Sequence, residues 1–145
     1  MPGERIWVID AEHWPRAYLL AQLTERGYDV TGFETARDAV VRAIVAQGER
    51  PALMVIDLHG QTGDPKALAS LARQEIPIVA ISGATTTTAP AATADGGAVA
   101  DRPWAALMRR PLTIGAIVET AARLLSGPAR AAGAGTPSPP SKPGR

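Results

Sequence analysis

A chain of 145 residues with 46% hydrophobic and 20% charged content suits one soluble globular domain with a core of its own. Its net charge of +1 provides no field to draw nucleic acid or an anionic membrane, and no apolar stretch approaches the roughly 20 residues a bilayer span requires. The lack of cysteine excludes disulfides and thiolate metal sites, and the N-terminal apolar run is too short for a signal peptide, so the expected location is the cytoplasm.

The first apolar run, Ile6–Ile9, is rich in β-branched residues and does not alternate with polar ones, as expected of a strand covered on both faces. It stops at Asp10, inside the stretch VIDAEHW. Pro15–Arg26 then reads as a helix carrying Leu19, Leu20 and Leu23, with Gly27 placed for a left-handed cap. Tyr28–Phe33 is a weaker strand. Thr35 is a candidate N-cap, with Asp38 three residues on and Ala39, Val40, Ala43 and Ile44 along one helical face, and Gly48 is the expected stop. Leu53–Ile56 is a second fully apolar run, ending at Asp57. Asp64 and Pro65 pair a cap residue with proline at the first helical position, ahead of Leu68 and Leu71.

Ile78–Ile81 is the third apolar run, followed by Ser82. Residues 83–103 occupy the place of a fourth crossover helix, but Val99 is their only sizeable apolar side chain, so a mobile segment is expected there. Trp104–Met108 is the expected fifth strand. From Thr113 onward, Ile114, Ile117, Val118, Ala121, Leu124 and Leu125 form a stripe of helical period that Gly127 ends. Beyond Ser126 the chain is rich in proline and glycine and lacks acids. The expected division is a domain over 1–125 and a flexible tail over 126–145.

Strand alternating with helix implies right-handed βαβ units and a doubly wound α/β architecture, a five-stranded parallel sheet with helices on both faces. Ligands of such sheets sit at the carboxyl ends of the strands. The residues at those ends are Asp10, Asp57, Ser82 and Arg110. Any one of them is commonly just the first residue to meet water. Two acids, a hydroxyl and a cation converging on one rim make a candidate site.

These residues lie in the segments VIDAE, MVIDLHG, IVAISGA and MRRPLTI, and the sequence over Arg5–Leu125 resembles the receiver domains of two-component response regulators. The resemblance implies a flavodoxin-like sheet of strand order 2-1-3-4-5. It implies a phosphoryl group accepted on Asp57, with Mg²⁺ held by Asp10, Asp57 and the backbone carbonyl of His59. Ser82 would meet the phosphoryl oxygens and Arg110 would pair with them. The implied donor is a histidine kinase or phosphotransfer protein. The signal would pass to a downstream protein through the family's fourth helix, fifth strand and fifth helix, and a homodimer is a further implied partner. A receiver of this kind is a switch rather than an enzyme. The chemistry is consistent, because phosphoryl transfer to a carboxylate gathers anions that a hard oxygen-seeking cation must neutralise.

The departures bear on whether the switch operates. Where the family has a second acid after the first strand, this chain has Ala11. Glu12, two residues from Asp10 and on the side that an extended chain would share with it, is the candidate to supply the missing Mg²⁺ carboxylate, although its longer arm needs a different geometry. Arg110 replaces the usual lysine, keeping the charge but preferring bidentate pairing. Leu107 stands where a switch aromatic is expected, and Gln61 replaces a proline after the acceptor. A receiver-like interaction module that never uses the phosphoryl switch is therefore the alternative, although Asp57, Ser82 and Arg110 are all retained. A second alternative is a haloacid-dehalogenase-like phosphatase with Asp10 as nucleophile, supported by Glu12 and Ser82. His13 and His59 could join Asp10, Glu12 and Asp57 in a transition-metal site. Trp14, just past the first strand, is expected beside the pocket. No glycine-rich nucleotide loop is present.

Overall fold

Side chains along a strand alternate between its two faces, and here the alternation separates two apolar layers. The structure is a computed structural model that describes residues 3–83 and 104–127. On β1 (Arg5–Ile9), Ile6 and Val8 enter one layer while Trp7 and Ile9 enter the other. On β3 (Leu53–Asp57), Leu53 and Val55 separate in the same way from Met54 and Ile56. On β4 (Ile78–Ser82), Val79 and Ile81 separate from Ile78 and Ala80. With β2 (Asp29–Phe33) and β5 (Ala106–Arg109) at the edges, the strands form one parallel sheet in the order β2-β1-β3-β4-β5. The central strands read as unbroken apolar runs because helices cover both of their faces.

One layer is closed by α1 (His13–Glu25), through Leu19 and Leu23, and by the C-terminal helix (Ile114–Leu125), through Ile117, Val118, Ala121 and Leu125. The other is closed by α2 (Ala36–Val45), through Ala36 and Ala39, and by α3 (Pro65–Ala72), through Ala67, Leu68 and Leu71. Trp7 meets Phe33 edge-on within this second layer, ring centroids 4.9 Å apart. Removing such side chains from water supplies most of the driving force, at roughly 25 cal/mol per Å² of apolar area.

The expected caps, Thr35 and Asp64, are in place, and Thr113 adds another. Thr35 accepts the Asp38 N–H at 3.0 Å, Asp64 Oδ1 accepts the Ala67 N–H at 3.1 Å, and Thr113 accepts the Ala116 N–H at 3.0 Å. Gly27 adopts φ +95° at the end of α1, the left-handed region that glycine enters without strain.

Two element boundaries and the burial of one side chain depart from expectation. The fifth strand is Ala106–Arg109 rather than Trp104–Met108, because Trp104 packs half-buried against the second layer while Ala105 N–H already bonds Ile78 O. Helix α2 ends at Val45, where Ala46 turns to φ −121° and ψ 67°, and Gly48 falls in a 3-10 turn over Gln47–Glu49 instead of stopping the helix. Ile44, expected on the buried face, is exposed, as are Val41 and Val45. The expected fourth helix and nearly all of the expected tail lie outside the described residues. Among the described residues, no helix is long and apolar enough to cross a membrane.

Candidate functional site

In the parallel register Ile9 lies opposite Ile56, so the next residues, Asp10 and Asp57, leave adjacent strand ends side by side. Both acids are buried, at 7% and 4% exposure. They use the same local device: Asp10 Oδ1 accepts the Glu12 N–H at 2.9 Å and Asp57 Oδ1 accepts the His59 N–H at 3.0 Å. A short acidic side chain bonded to the backbone two residues on turns the chain sharply out of the strand. Burial pushes the Asp10 carboxyl above the usual carboxylate range. The Glu12 N–H and then the Arg110 charge oppose this, nearby Glu12 adds to it, and Arg16 opposes it.

Arg110 reaches the acids from beyond β5, across the end of β4. Its N–H bonds Ser82 O at 3.0 Å, which extends the ladder between those strands past Arg109. The guanidinium then donates from Nη2 to Asp57 Oδ2. Ser82, half-buried, ends β4 next to this arm, and the Arg110–Pro111 peptide is cis. Asp10, Asp57 and Arg110 line a shared cleft with Pro15, Leu112 and Ile114. Trp14, expected beside this cleft, is 66% exposed and faces Tyr18, while Pro15 takes the lining position.

The remaining candidates lie on the rim. Glu12 is exposed at the N-cap of α1 without a side-chain capping bond. His13 and His59 are exposed, and His13 stands edge-on to Trp14 at 4.9 Å. Among the described residues, no three acidic or imidazole side chains group closely enough to hold a metal ion. The histidine-and-acid transition-metal site is therefore not assembled. Leu107 is 39% exposed on the edge strand.

The loop after Asp57 folds back over Ala11. Gly60 adopts φ +89°, and a Cβ there would lie 2.9 Å from the Ala11 Cβ. A residue with any side chain at position 60 would strain the backbone and collide with the methyl that stands where the second acid was expected.

Two residues the sequence did not single out for roles in the site support it. Gln61, 3% exposed, accepts the Ala36 N–H at 2.8 Å and donates to Glu34 O at 2.9 Å, so it ties this loop to the first turn of α2. Arg16 donates from Nη1 to Asp10 O at 2.6 Å. Its path is open because Gly32 on β2 has no side chain: a Cβ there would stand 3.3 Å from Arg16 Cδ and 3.0 Å from Leu20 Cδ1. The only sequence sign of this was a glycine in a strand, which commonly marks a close approach.

Mg²⁺ takes oxygen ligands, often one or two carboxylates with the rest water. Asp10, Asp57 and the His59 carbonyl meet that minimal requirement, so the residues present fit the ion.

No family model and no curated protein sequence matches the chain. Solved structures do. A response regulator receiver protein from Pseudomonas putida superposes with a TM-score of 0.67 at 20% identity, covering 85% of this chain and 98% of that one. The chemotaxis response regulator CheY4 of Vibrio cholerae gives 0.61 at 20% identity, over 84% and 98%. The beryllofluoride-activated receiver domain of NtrC gives 0.60 at 18% identity, over 87% and 97%. The chain has the fold of response regulator receiver domains: a five-stranded, all-parallel, flavodoxin-like sheet of order 2-1-3-4-5.

Proposed function

We propose that this chain is a signalling receiver that accepts a phosphoryl group on Asp57 and transmits the change through protein contacts. The observation that carries the reading is the Asp57 carboxylate: 4% exposed, at the end of the central strand, with the Arg110 guanidinium on one oxygen and the His59 N–H on the other. The likeness to the receiver fold supports it, and so does the beryllofluoride-activated state of the NtrC domain.

In this reading Asp57 Oδ2 attacks the phosphorus of a phosphohistidine on a kinase or phosphotransfer protein. The new P–O bond forms as the P–N bond breaks, and the imidazole leaves with the electron pair. Arg110 gives up Oδ2 and pairs with the phosphoryl oxygens, where a charge-assisted bond is strongest. The Ser82 hydroxyl, at the end of the adjacent strand, donates to the same group. Asp10, Asp57 and the His59 carbonyl would hold Mg²⁺, and Glu12, exposed on the rim, is the further candidate. Bound there, the ion supplies the positive charge that lets two anions approach. The chain turns over no substrate of its own. A downstream protein reads the modified face, and a second copy of the chain is a further candidate partner.

The test is intact-protein mass spectrometry after incubation with acetyl phosphate and excess Mg²⁺. An adduct of one phosphoryl group is expected on the wild type and absent from Asp57→Asn. An unmodified wild type, or an adduct that survives Asp57→Asn, refutes the reading.

The second reading, an interaction module that is never phosphorylated, is favoured by Ala11 at the missing acid's position and by the exposed place of Glu12. An unmodified wild type that still binds its partner would establish it. Phosphate release from small esters that depends on Asp10 but not on Asp57 would instead support the phosphatase.

A further inference from the structure

We propose that Arg16 and Arg110 supply the positive charge that balances Asp10 and Asp57, so that the site keeps its geometry without a divalent cation and binds one only weakly. The inference takes the identity of the site from the phosphoryl-acceptor reading and concerns what neutralises its acids.

The two buried acids face two guanidinium groups, with Glu12 a further acid on the exposed rim. Asp10 and Asp57 are both buried, and a buried carboxylate without a counter-charge is costly. Against them stand two guanidinium groups. Arg110 rests on Asp57 Oδ2, with side-chain exposures of 27% and 5% for the pair. Arg16 is anchored 2.6 Å from the Asp10 carbonyl, and its charge, like that of Arg110, favours the ionised Asp10 carboxyl. A receiver with a second acid in place of Ala11 would carry one more negative charge here and draw a cation in. This chain has a methyl there, facing Gly60.

The carboxylate oxygens are also partly engaged. Asp10 Oδ1 and Asp57 Oδ1 each accept a backbone N–H, and Asp57 Oδ2 accepts from Arg110. Among the described residues, Asp10 Oδ2 is the one carboxylate oxygen of the pair that accepts no hydrogen bond. A divalent ion must therefore share each Oδ1 with a backbone N–H and sit beside two guanidinium charges. Gly32 is part of this arrangement, because its bare backbone lets the Arg16 stem pack against it while the guanidinium bonds Asp10 O.

The test is calorimetric titration of Mg²⁺, and of Mn²⁺, into the full chain and into Ala11→Asp, Arg110→Met and Arg16→Met. The wild type should fail to saturate in the low millimolar range. Ala11→Asp and Arg110→Met should each tighten binding by about tenfold or more, the scale of one unit charge at short range in a partly solvated site. Arg16→Met should tighten it by a smaller factor. Ala11→Asp and Arg16→Met leave the Asp57 ion pair in place, so they decide the matter even if Arg110→Met does not fold. Submillimolar binding by the wild type, or variants that bind no tighter than the wild type, overturns the inference. Neither result bears on whether Asp57 accepts a phosphoryl group, which the adduct measurement decides alone.

Discussion

Gln61 holds Ala36 N and Glu34 O with the two ends of one amide, at 2.8 and 2.9 Å, and so joins the loop after Asp57 to the start of α2. The Ala36 N–H is a donor in the first turn of a helix that no intrahelical acceptor can satisfy. The link lies in a part of the chain where α2 makes few buried contacts of its own, through Ala36 and Ala39.

Gln61→Leu should therefore cost more than its gain in apolar surface would suggest. It leaves a buried donor and a carbonyl without partners, for a loss of about 1–3 kcal/mol. Urea denaturation followed by circular dichroism measures it. A change within error of zero would show that water replaces the amide.

The buried Asp10 carboxyl makes stability depend on pH in a defined direction. Its folded-state pKa lies above the usual value of 3.8, so the folded protein holds this proton more tightly than the unfolded chain. Stability from this group is full at low pH and falls as pH rises from about that value through the raised one. Asp10→Asn keeps an oxygen for the Glu12 N–H but cannot titrate. The difference in unfolding free energy between variant and wild type should shift in the variant's favour across that window and level off above it. A difference independent of pH would contradict the assigned direction.

Gly60 and Ala11 form a coupled pair. Gly60→Ala should lose about 1–3 kcal/mol, from positive φ and from the collision with the Ala11 methyl. Adding Ala11→Gly should recover the steric part and leave the conformational part. A double-mutant cycle by thermal or chemical denaturation separates the two, and additive losses would show that the contact is relieved by movement of the loop.

Two arginine–carboxylate pairs should behave differently. Arg26 and Glu119 pair between α1 and the C-terminal helix with side-chain exposures of 40% and 68%, and Glu119→Gln should change stability by less than about 0.5 kcal/mol. Arg110→Met strips the counter-charge from Asp57, whose side chain is 5% exposed, and should cost roughly 2 kcal/mol or more. Denaturation midpoints of both variants, at low and high salt, compare them directly. Equal losses would mean that Asp57 is better solvated than its burial indicates.

The order of strands and helices was readable because the three central runs are unbroken and each described helix after α1 opens on a capping residue. Asp10, Asp57, Ser82 and Arg110 were readable because strand ends in a parallel sheet share one rim. Gln61 was seen only as a departure from a family pattern, since a glutamine that bonds backbone on another loop carries no local period or spacing. Arg16 is, by sequence, one charged residue among several on a helix. Its reach to Asp10 depends on a glycine sixteen positions later, a relation that exists only after β1 and β2 pair. The fifth strand was placed too early because Trp104 is as apolar as a strand residue while serving the packing of another layer.

The sheet acts as a partition. Leu23 belongs to the layer under α1 and Leu71 to the layer under α3, and among the described residues no buried side chain is shared between them. The two halves of the interior can thus vary in composition separately, one repacking against the C-terminal helix while the other stays fitted to α2 and α3. The rim where Asp10 and Asp57 emerge is held by backbone common to both halves. A loosened layer reaches it by bending that backbone, or through Arg16 and Ile114 on one side and Gln61 on the other.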